Sequence, residues 1–477
     1  MKKLLTAFLC IIMVAVFMPT MVFAAENTMT QAEFEAALEN GSVDLGGKTV
    51  NVDSMISLTD KGNVSISNGT LMASDSCGEK VLAVQGNTNL KLEKVAVVAG
   101  ASSNSAMYVG YEAKLDATNL TVDNSAAAKG GAIIINREAS AVFAGSLSIK
   151  LGANSWYGIN VDNAKANFDG ADIKIEGAQG TQSVICSENS GNVSGAVMTE
   201  VKTGDGQNAY VSDELLAQFV AAKGTKVETI TLNNDVELTQ PLYLTAGTRV
   251  IGNGHTISGT EALGKDNVVT VTGDGVVLED LKIKTSEANK SALHVYKAKN
   301  VVVKNVTLDV TKTVGGAGMV VNASEVKVEG SLDIVTGEKA WGGINVDTAN
   351  GAAKVVFASA SKITVNGNKN VSAIYQDKDQ DAAVIEGAEE AGLVKNDDGS
   401  YAVKEEPVKP NPGTDDEDQP SDNDKNDKED VKDEDKKDES VPETTDGSNA
   451  LLWVAMMAVA AGAGVAVVIR KKAVENK

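Results

Sequence analysis

The stretch Trp156-Tyr-Gly-Ile-Asn-Val-Asp162 returns as Trp341-Gly-Gly-Ile-Asn-Val-Asp347, at an offset of 185 positions (156 to 341). The same offset carries Gly130-Gly131-Ala132 onto Gly315-Gly316-Ala317. Matches that keep one spacing indicate a duplicated module, and such a repeat has to be recognised before any fold is assigned. The chain therefore contains one structural unit twice.

Around this motif the chain repeats on a shorter scale, as apolar runs broken by Gly, Asn and Asp. In the first half the runs begin at Val81, Ser105, Gly131, Tyr157 and Gln182, in steps of 24, 26, 26 and 25 residues. In the second half they begin at Asn267, Ser291, Gly316, Gly342 and Val371. Short alternating runs with such breaks predict strands and turns, not helices.

Two of these segments carry a fold resemblance. Gly273-Asp-Gly-Val-Val-Leu-Glu-Asp-Leu281 and Lys299-Asn-Val-Val-Val-Lys-Asn-Val-Thr-Leu308 resemble the rungs of the right-handed parallel β-helix of the pectin-lyase-like superfamily. The resemblance implies an all-β fold in which each turn, or rung, stacks about 4.8 Å from the next and buries its inner face against it. A β-sandwich and a propeller are the competing all-β architectures.

Two short segments predict helices that cover the open end of a stack. Thr30-Gln-Ala-Glu33 is a capping box, and Ser212-Asp-Glu-Leu-Leu216 opens a second amphipathic segment. A covering helix in mid-chain predicts two tandem right-handed parallel β-helices, residues 25–205 and 206–403, each with an N-terminal capping helix.

The two ends of the chain predict export and attachment. Residues 1–24 combine a basic start, an apolar run and a small-x-small site, which is typical of a secretory signal peptide; an uncleaved anchor is the alternative. Residues 404–446 hold 18 acidic and 7 basic side chains, which predicts a disordered acidic spacer. Within residues 447–477, the uncharged run from Ala450 to Ile469 predicts a transmembrane helix with a basic cytoplasmic tail.

The residues just before this run resemble the sortase cell-wall sorting signal of Gram-positive surface proteins, Leu-Pro-x-Thr-Gly. They are Val441, Pro442, Glu443, Thr444 and Thr445. The resemblance implies sortase as a partner and cleavage after Thr444, although Val441 and Thr445 replace the family's Leu and Gly. If sortase rejects Thr445, the apolar run remains a membrane anchor. Both outcomes predict a protein on the extracellular face of the cell envelope, anchored in the cell wall or the membrane.

Composition limits the partners and the chemistry. The formal net charge of −22 argues against nucleic acid and anionic membrane surfaces. Cys77 and Cys186 fall four rungs apart, about 19 Å at roughly 4.8 Å per rung. A disulfide needs Cα atoms within about 7 Å, so we expect no bridge between these two cysteines. The sequence shows no metal-ligand spacing, phosphate loop or catalytic triad, so it predicts no catalytic residue, no metal and no cofactor.

Two sets of polar residues have competing interpretations. Gly252-Asn-Gly-His255 approaches the Gly-His-Gly segment of polygalacturonase-like enzymes, but Thr256 follows, and a turn residue is the alternative. Asn160 and Asn345 suit either a ligand contact or a structural role, because Asn tolerates left-handed turns and forms stacked ladders. We expect the structural role for both sets.

Trp156, Tyr157 and Trp341 are the candidate glycan contacts. Aromatic residues make up only 4% of the chain, so a repeated Trp is not a product of composition. An exposed ring beside Asn and Asp suits stacking on a sugar, whereas a Trp that closes the groove between turns is the alternative. The sequence thus predicts a non-enzymatic, adhesin-like or glycan-binding surface protein. A surface-bound polysaccharide lyase or glycoside hydrolase is the second hypothesis, and it rests on the fold resemblance alone.

Overall fold

A computed structural model describes residues 27–177, 182–376, 381 and 383–404. This part of the chain forms a parallel β-solenoid of the right-handed type with about 13 turns, which confirms the predicted all-β, parallel β-helical fold. The predicted signal peptide, sorting motif and C-terminal apolar run lie outside the described residues, as does nearly all of the acidic spacer. Within the described residues, no helix is both long enough and apolar enough to cross a membrane.

The first half of the solenoid consists of short and long strands that alternate along the chain, with one helix near its start. In chain order these elements are β1 (Thr28–Thr30), α1 (Gln31–Leu38), β2 (Ser42–Asp44), β3 (Thr49–Val52), β4 (Ile56–Thr59), β5 (Gly62–Ala73), β6 (Lys80–Gln85), β7 (Thr88–Val98), β8 (Ser105–Gly110), β9 (Lys114–Asn124), β10 (Ile133–Asn136), β11 (Ser140–Leu151), β12 (Ile159–Asp162), β13 (Lys165–Asn167), β14 (Ala171–Glu176), β15 (Ile185–Glu188) and β16 (Asn192–Ser194).

These strands build two parallel sheets. One sheet runs β1-β3-β5-β7-β9-β11-β13-β16, with β2 beside β5 and β14 beside β11. The other runs β4-β6-β8-β10-β12-β15 and contains the first copy of the repeated motif. Ile133 pairs with Met107 on one side and with Ile159 on the other, and all three are buried. Identical rungs thus stack their apolar residues into a continuous core.

The parallel order is interrupted between the halves. The elements there are β17 (Thr199–Thr203), β18 (Asn208–Val211), α2 (Asp213–Lys223), a 3-10 turn (Gly224–Lys226) and β19 (Val227–Thr231). Strand β18 is antiparallel to β15 and β17, and β17 is antiparallel to β19. The module boundary predicted at residue 205 falls in the turn between β17 and β18.

The second half returns to parallel strands. Its elements are β20 (Val236–Leu238), β21 (Leu242–Leu244), β22 (Arg249–Ile251), β23 (Thr256–Gly259), a 3-10 turn (Glu261–Leu263), β24 (Val269–Val271), β25 (Val277–Lys284), β26 (Leu293–Tyr296), β27 (Val301–Val310), β28 (Gly316–Asn322), β29 (Glu325–Thr336), β30 (Ala340–Asp347), β31 (Lys354–Phe357), β32 (Lys362–Gly367), β33 (Ile374–Gln376), β34 (Val384–Glu386), β35 (Leu393–Lys395) and β36 (Tyr401–Val403).

The second copy of the motif lies in the sheet β21-β24-β26-β28-β30-β33, all of it parallel. Strands β35 and β36 are antiparallel to each other, and β36 is antiparallel to β33. The other sheet continues from β22 and β23 through β25, β27 and β29 to β31, β32 and β34. We call the two sheets that contain the motif, one in each half, the motif sheets.

Two separate clusters of buried apolar residues form the core. One extends from Phe34 to Tyr210 and the other from Val184 to Tyr401, so the chain passes from one to the other near residue 184. Helix α1 begins with the capping box between Thr30 and Glu33 and buries Phe34 in the first cluster. Helix α2 buries apolar side chains in the second cluster.

The long strands bend at residues with left-handed backbone angles. Asn119 in β9 has φ +54°, and Asn305 in β27 has φ +50°. Asn119 Oδ1 accepts a hydrogen bond from the backbone N–H of Ser146 at 3.0 Å, and Asn305 Oδ1 accepts one from Ser331 N–H at 3.1 Å. Asn tolerates this conformation and supplies a local hydrogen bond, which explains why both copies place it at the bend.

Candidate ligand-binding faces

The motif exposes three polar or aromatic side chains along its strand. In β30, Ile344 and Val346 are buried, whereas Trp341, Asn345 and Asp347 are exposed or partly exposed. Side chains alternate between the two faces of a strand, so Asn345 and Asp347 point away from the core, and Trp341, at an irregular point of the same strand, is exposed as well. The outer surface of this motif sheet therefore presents an indole, an amide and a carboxylate along one line.

The first copy repeats this arrangement. Ile159 and Val161 of β12 are buried, and Asn160 and Asp162 are partly exposed on the outer side. Trp156 stands just before the strand, where its N–H donates to the carbonyl of Gly130 at 3.0 Å. The Trp156 side chain is 56% exposed and that of Trp341 is 47% exposed, so both rings have a surface that a ligand can reach.

Trp341 also packs against the preceding rung. The pairing of β28 with β30 shifts after Gly316, which makes Trp341 an extra residue on its strand. A β-bulge of this kind re-aims a side chain. A Cβ atom on Gly315 would lie 3.3 Å from the indole Nε1, so the missing side chain at Gly315 leaves room for the ring. Trp341 thus covers part of the groove between turns and is exposed over the rest.

Each motif carboxylate is held by side-chain amides. In the second copy, Asn322 on the adjacent rung donates through Nδ2 to Asp347 Oδ2 at 2.6 Å. In the first copy, Asn189 donates through Nδ2 to Asp162 Oδ1 at 2.9 Å. Hydrogen bonds to a carboxylate fix its orientation. Each copy of the motif therefore combines an oriented carboxylate acceptor with an exposed ring.

Tyr157 belongs to a polar cluster at the end of the first motif sheet. Gln207 donates through Nε2 to Glu188 Oε1 at 2.6 Å and lies 3.4 Å from the Tyr157 hydroxyl. Cys186 Sγ donates to the same Glu188 oxygen at 3.5 Å. Burial raises the pKa of both Tyr157 and Cys186 to about 12. Both groups are therefore protonated near neutral pH and are poor nucleophiles.

The thiols of Cys77 and Cys186 are both free and buried. Burial raises the pKa of the Cys77 thiol as well. A thiol in apolar surroundings is unreactive, since only the thiolate is a good nucleophile.

His294 lies on the outer side of the second motif sheet but is largely enclosed. It occupies β26 between buried Leu293 and Val295, and its Nδ1 is 3.3 Å from Asn267 Nδ2. Burial lowers the pKa of His294 to about 4, and the nearby Asp347 only partly opposes this effect. The ring is therefore neutral at physiological pH.

His255 follows the turn formed by Asn253, whose φ is +52°. Its Nδ1 lies 3.3 Å from Asp235 Oδ1, and the same carboxylate oxygen accepts a hydrogen bond from Thr256 N–H at 2.9 Å. The backbone hydrogen bond from Thr256 is the main reason that the pKa of Asp235 is lowered. His255 thus lies beside a structural turn, and the Asp235 carboxylate nearest its ring already accepts a backbone hydrogen bond.

Two basic side chains of this half form ion pairs with one carboxylate. Arg249 donates through Nε to Glu279 Oε1 at 2.7 Å, and Lys304 Nζ is 3.5 Å from Glu279 Oε2. The Glu279 side chain is almost fully buried between its two partners. Within the described ranges, no group of three or more His, Cys, Asp or Glu side chains could hold a metal ion.

Asn160 and Asn345 have neither of the two structural roles predicted for them, the left-handed turn and the stacked ladder. Both lie inside strands, and neither has a left-handed backbone. Asn345 pairs in register with Val320 and Tyr375, so it is not part of an Asn ladder either. The left-handed turns fall at other asparagines because the bend lies in the long strands. The sequence interpretation noted an Asp beside the repeated Trp but did not include Asp162 and Asp347 among the candidate contacts, although their even spacing from Asn and Trp in the motif could have indicated a shared face.

A groove of about 580 Å³ crosses the outer surface of the other sheet in the first half, and one of about 340 Å³ crosses its counterpart in the second. Ser140 and Val142 line the first groove, and Glu325 and Lys327 stand at the equivalent positions of the second (offset 185). The grooves share a position but not a chemistry. The motif faces, in contrast, repeat the same side chains in both halves.

Comparison of the chain with protein-family models, curated protein sequences and solved structures found no significant match. Function is accordingly inferred from the chemistry of the two motif faces.

Proposed function

We propose that the protein is a non-enzymatic, adhesin-like surface protein that binds an extracellular glycan through its two motif faces. One observation carries the proposal: each copy combines an exposed Trp with an amide and an oriented carboxylate that lie on the outer side of a motif sheet. Sugars combine an apolar C–H face with many hydroxyl groups. An aromatic ring with a few well-placed polar groups is therefore the side-chain set that recognises them.

The length of the motif favours an extended ligand. Asn345 lies four positions and Asp347 six positions after Trp341. At roughly 3.3 Å per residue, the line from Trp341 to Asp347 spans at most about 20 Å. A single sugar ring would contact only part of this line. An oligosaccharide that lies along the strand would contact the indole with one unit and the amide and carboxylate with others.

The charge of the faces favours a neutral glycan. Asp162 and Asp347 lie on the faces themselves, Glu188 lies beside the first, and the whole chain carries a formal net charge of −22. A uronate or phosphate polymer would be repelled by these carboxylates. Hydroxyl groups, in contrast, can donate to them.

Two copies on one chain suit a repetitive ligand. If both faces bind the same polysaccharide chain, the second binding event becomes intramolecular and the overall affinity exceeds that of either face. The separate apolar clusters and the antiparallel strands between them support two tandem modules, with α1 and α2 as their covering helices.

The ends of the sequence supply the proposed location. The signal-peptide pattern of residues 1–24 supports export, and the apolar run from Ala450 to Ile469 supports anchoring, with or without sortase cleavage after Thr444. The acidic segment between the solenoid and this run supports a spacer that holds the binding faces away from the envelope.

Removing the indoles tests the proposal. Trp156→Ala and Trp341→Ala should each weaken binding to a soluble neutral polysaccharide about tenfold, because a stacked aromatic ring contributes roughly 1.4 kcal/mol. Binding would be measured by affinity electrophoresis against mixed-linkage β-glucan and galactomannan, with polygalacturonate as the anionic comparison. The double variant should lose the avidity of two faces as well.

Tyr111→Ala is the matched control, because Tyr111 is 46% exposed in the turn after β8 and its ring stacks on Arg137. This variant should bind as the unaltered protein does. Circular dichroism would show that the solenoid is intact in every variant. Unchanged binding by the double Trp variant would contradict the proposal, and so would an unaltered protein that binds none of the polysaccharides.

A further inference from the structure

The two copies of the motif differ at one position, and the structure shows how the difference is compensated. Tyr157 of the first copy corresponds to Gly342 of the second (offset 185). Tyr157 and Cys186 lie close enough for each to affect the pKa of the other, and Cys186 pairs in register with Asn160 on the next rung. In the second copy, Tyr375 is the residue that pairs with Asn345. Cys186 and Tyr375 are therefore equivalent.

The same contact is present in both halves, but the large and the small side chain have exchanged positions. A Cβ atom built on Gly342 would lie 3.7 Å from Cβ of Tyr375, so these two positions touch across the rungs as Tyr157 and Cys186 do. In the first copy the ring comes from the residue that follows Trp, and the small side chain comes from the next rung. In the second copy the next rung supplies the ring and glycine leaves space for it.

We infer that Tyr375 is a ligand-contact residue of the second face and takes the place that Tyr157 has in the first. Its side chain is 43% exposed, and its register partner Asn345 belongs to the motif. The second face then consists of Trp341, Tyr375, Asn345 and Asp347. This inference rests on the proposed glycan-binding function and adds a second aromatic ring to a site that the sequence repeat alone leaves with one.

Two rings on one face narrow the class of ligand. Each ring stacks on the C–H face of a sugar, so a linear neutral polysaccharide that presents such faces in succession fits better than a branched or charged one. Tyr375 is also more exposed than the half-buried Tyr157. The second face should therefore contribute more of its tyrosine ring to binding than the first.

The test uses the full chain with Trp156→Ala, so that binding depends on the second face. In this background Tyr375→Ala should weaken binding to mixed-linkage β-glucan, a linear neutral polysaccharide, about tenfold, whereas Tyr375→Phe should keep most of the affinity because stacking needs only the ring. Val394→Ala, at a comparably exposed apolar residue of the same half, is the matched control and should have no effect.

An exchange of side chains gives a sharper readout. Tyr375→Cys alone should weaken binding about as much as Tyr375→Ala, and adding Gly342→Tyr should restore it by rebuilding the arrangement of the first copy. Gly342 does not have a left-handed backbone, and a Cβ atom there would lie 3.3 Å from the carbonyl oxygen of Ser372, so a side chain requires only a small shift of that neighbour. Binding that is unchanged in the Tyr375 variants, or not restored by the exchange, would overturn the role of Tyr375 alone. An unaltered protein that binds neither mixed-linkage β-glucan nor galactomannan would overturn the proposed function and this role with it.

Discussion

His294 is neutral in the folded protein because it is enclosed, and this makes stability depend on pH. Its pKa is about 4 in the fold, against 6.5 for an ordinary histidine, with burial as the main cause. Between these values the unfolded chain binds a proton that the folded chain does not. The contribution of His294 to stability is therefore complete above about pH 6.5 and is lost as the pH falls towards 4, by up to about 3 kcal/mol.

Replacing the imidazole should remove this dependence. In His294→Gln the free energy of unfolding, measured in urea at several pH values, should fall less between pH 6.5 and 4 than in the unaltered protein. Because carboxylates titrate in the same range, only the difference between the two proteins is informative. His255→Asn, at a partly exposed turn, is the matched control and leaves the enclosed His294 in place. Equal slopes in His294→Gln and the unaltered protein would show that the ring is not enclosed.

The bend in each long strand depends on a residue that accepts a left-handed backbone. Asn119→Ala should destabilise the protein by roughly 1–2 kcal/mol. The variant loses the hydrogen bond from Ser146 N–H, and alanine at φ +54° has no such bond to offset the strain of a left-handed backbone. Asn119→Gly loses the same bond but accepts the angle, so it should cost less. Chemical denaturation and hydrogen exchange at the Ser146 amide would measure both effects. A glycine variant less stable than the alanine variant would contradict this account.

At the level of strands, the alternation of apolar and polar residues was enough to predict the parallel rungs, because each strand must bury one face. It was not enough to predict the second face. Tyr375 lies against Gly342, which directly follows the register shift at Trp341 in β30, and no periodicity in the sequence encodes that shift. The aromatic partner of Trp341 could be identified only once neighbouring rungs were placed beside each other.

For the whole molecule, the sequence predicts a division near residue 205 but does not predict how the backbone is paired there. A duplicated solenoid could have continued its parallel stacking from one half into the next. Instead β18 is antiparallel to both β15 and β17, and the turn between β17 and β18 contains Gly206 at φ +84°. An antiparallel pair needs only a short turn, whereas parallel pairing requires a full crossover. The reversal thus interrupts the parallel stacking within a few residues.

Two apolar clusters imply that damage to one half should be felt mainly in that half. Leu92 and Leu308 are both fully buried, the first in the cluster that begins at Phe34 and the second in the cluster that ends at Tyr401. Leu→Ala in such a core costs about 2–5 kcal/mol, and in a solenoid each rung interacts only with its neighbours.

Leu92→Ala should therefore lower hydrogen-exchange protection in peptides from residues 43–151 and leave residues 250–346 close to normal, and Leu308→Ala should do the reverse. The two variants are matched controls for each other, since they remove the same atoms from equally buried sites. Equal loss of protection in both halves of either variant would mean that the solenoid unfolds as one cooperative unit. Binding should follow the same division: Leu92→Ala should weaken the first motif face and spare the second, so it should lose avidity and keep the affinity of a single face.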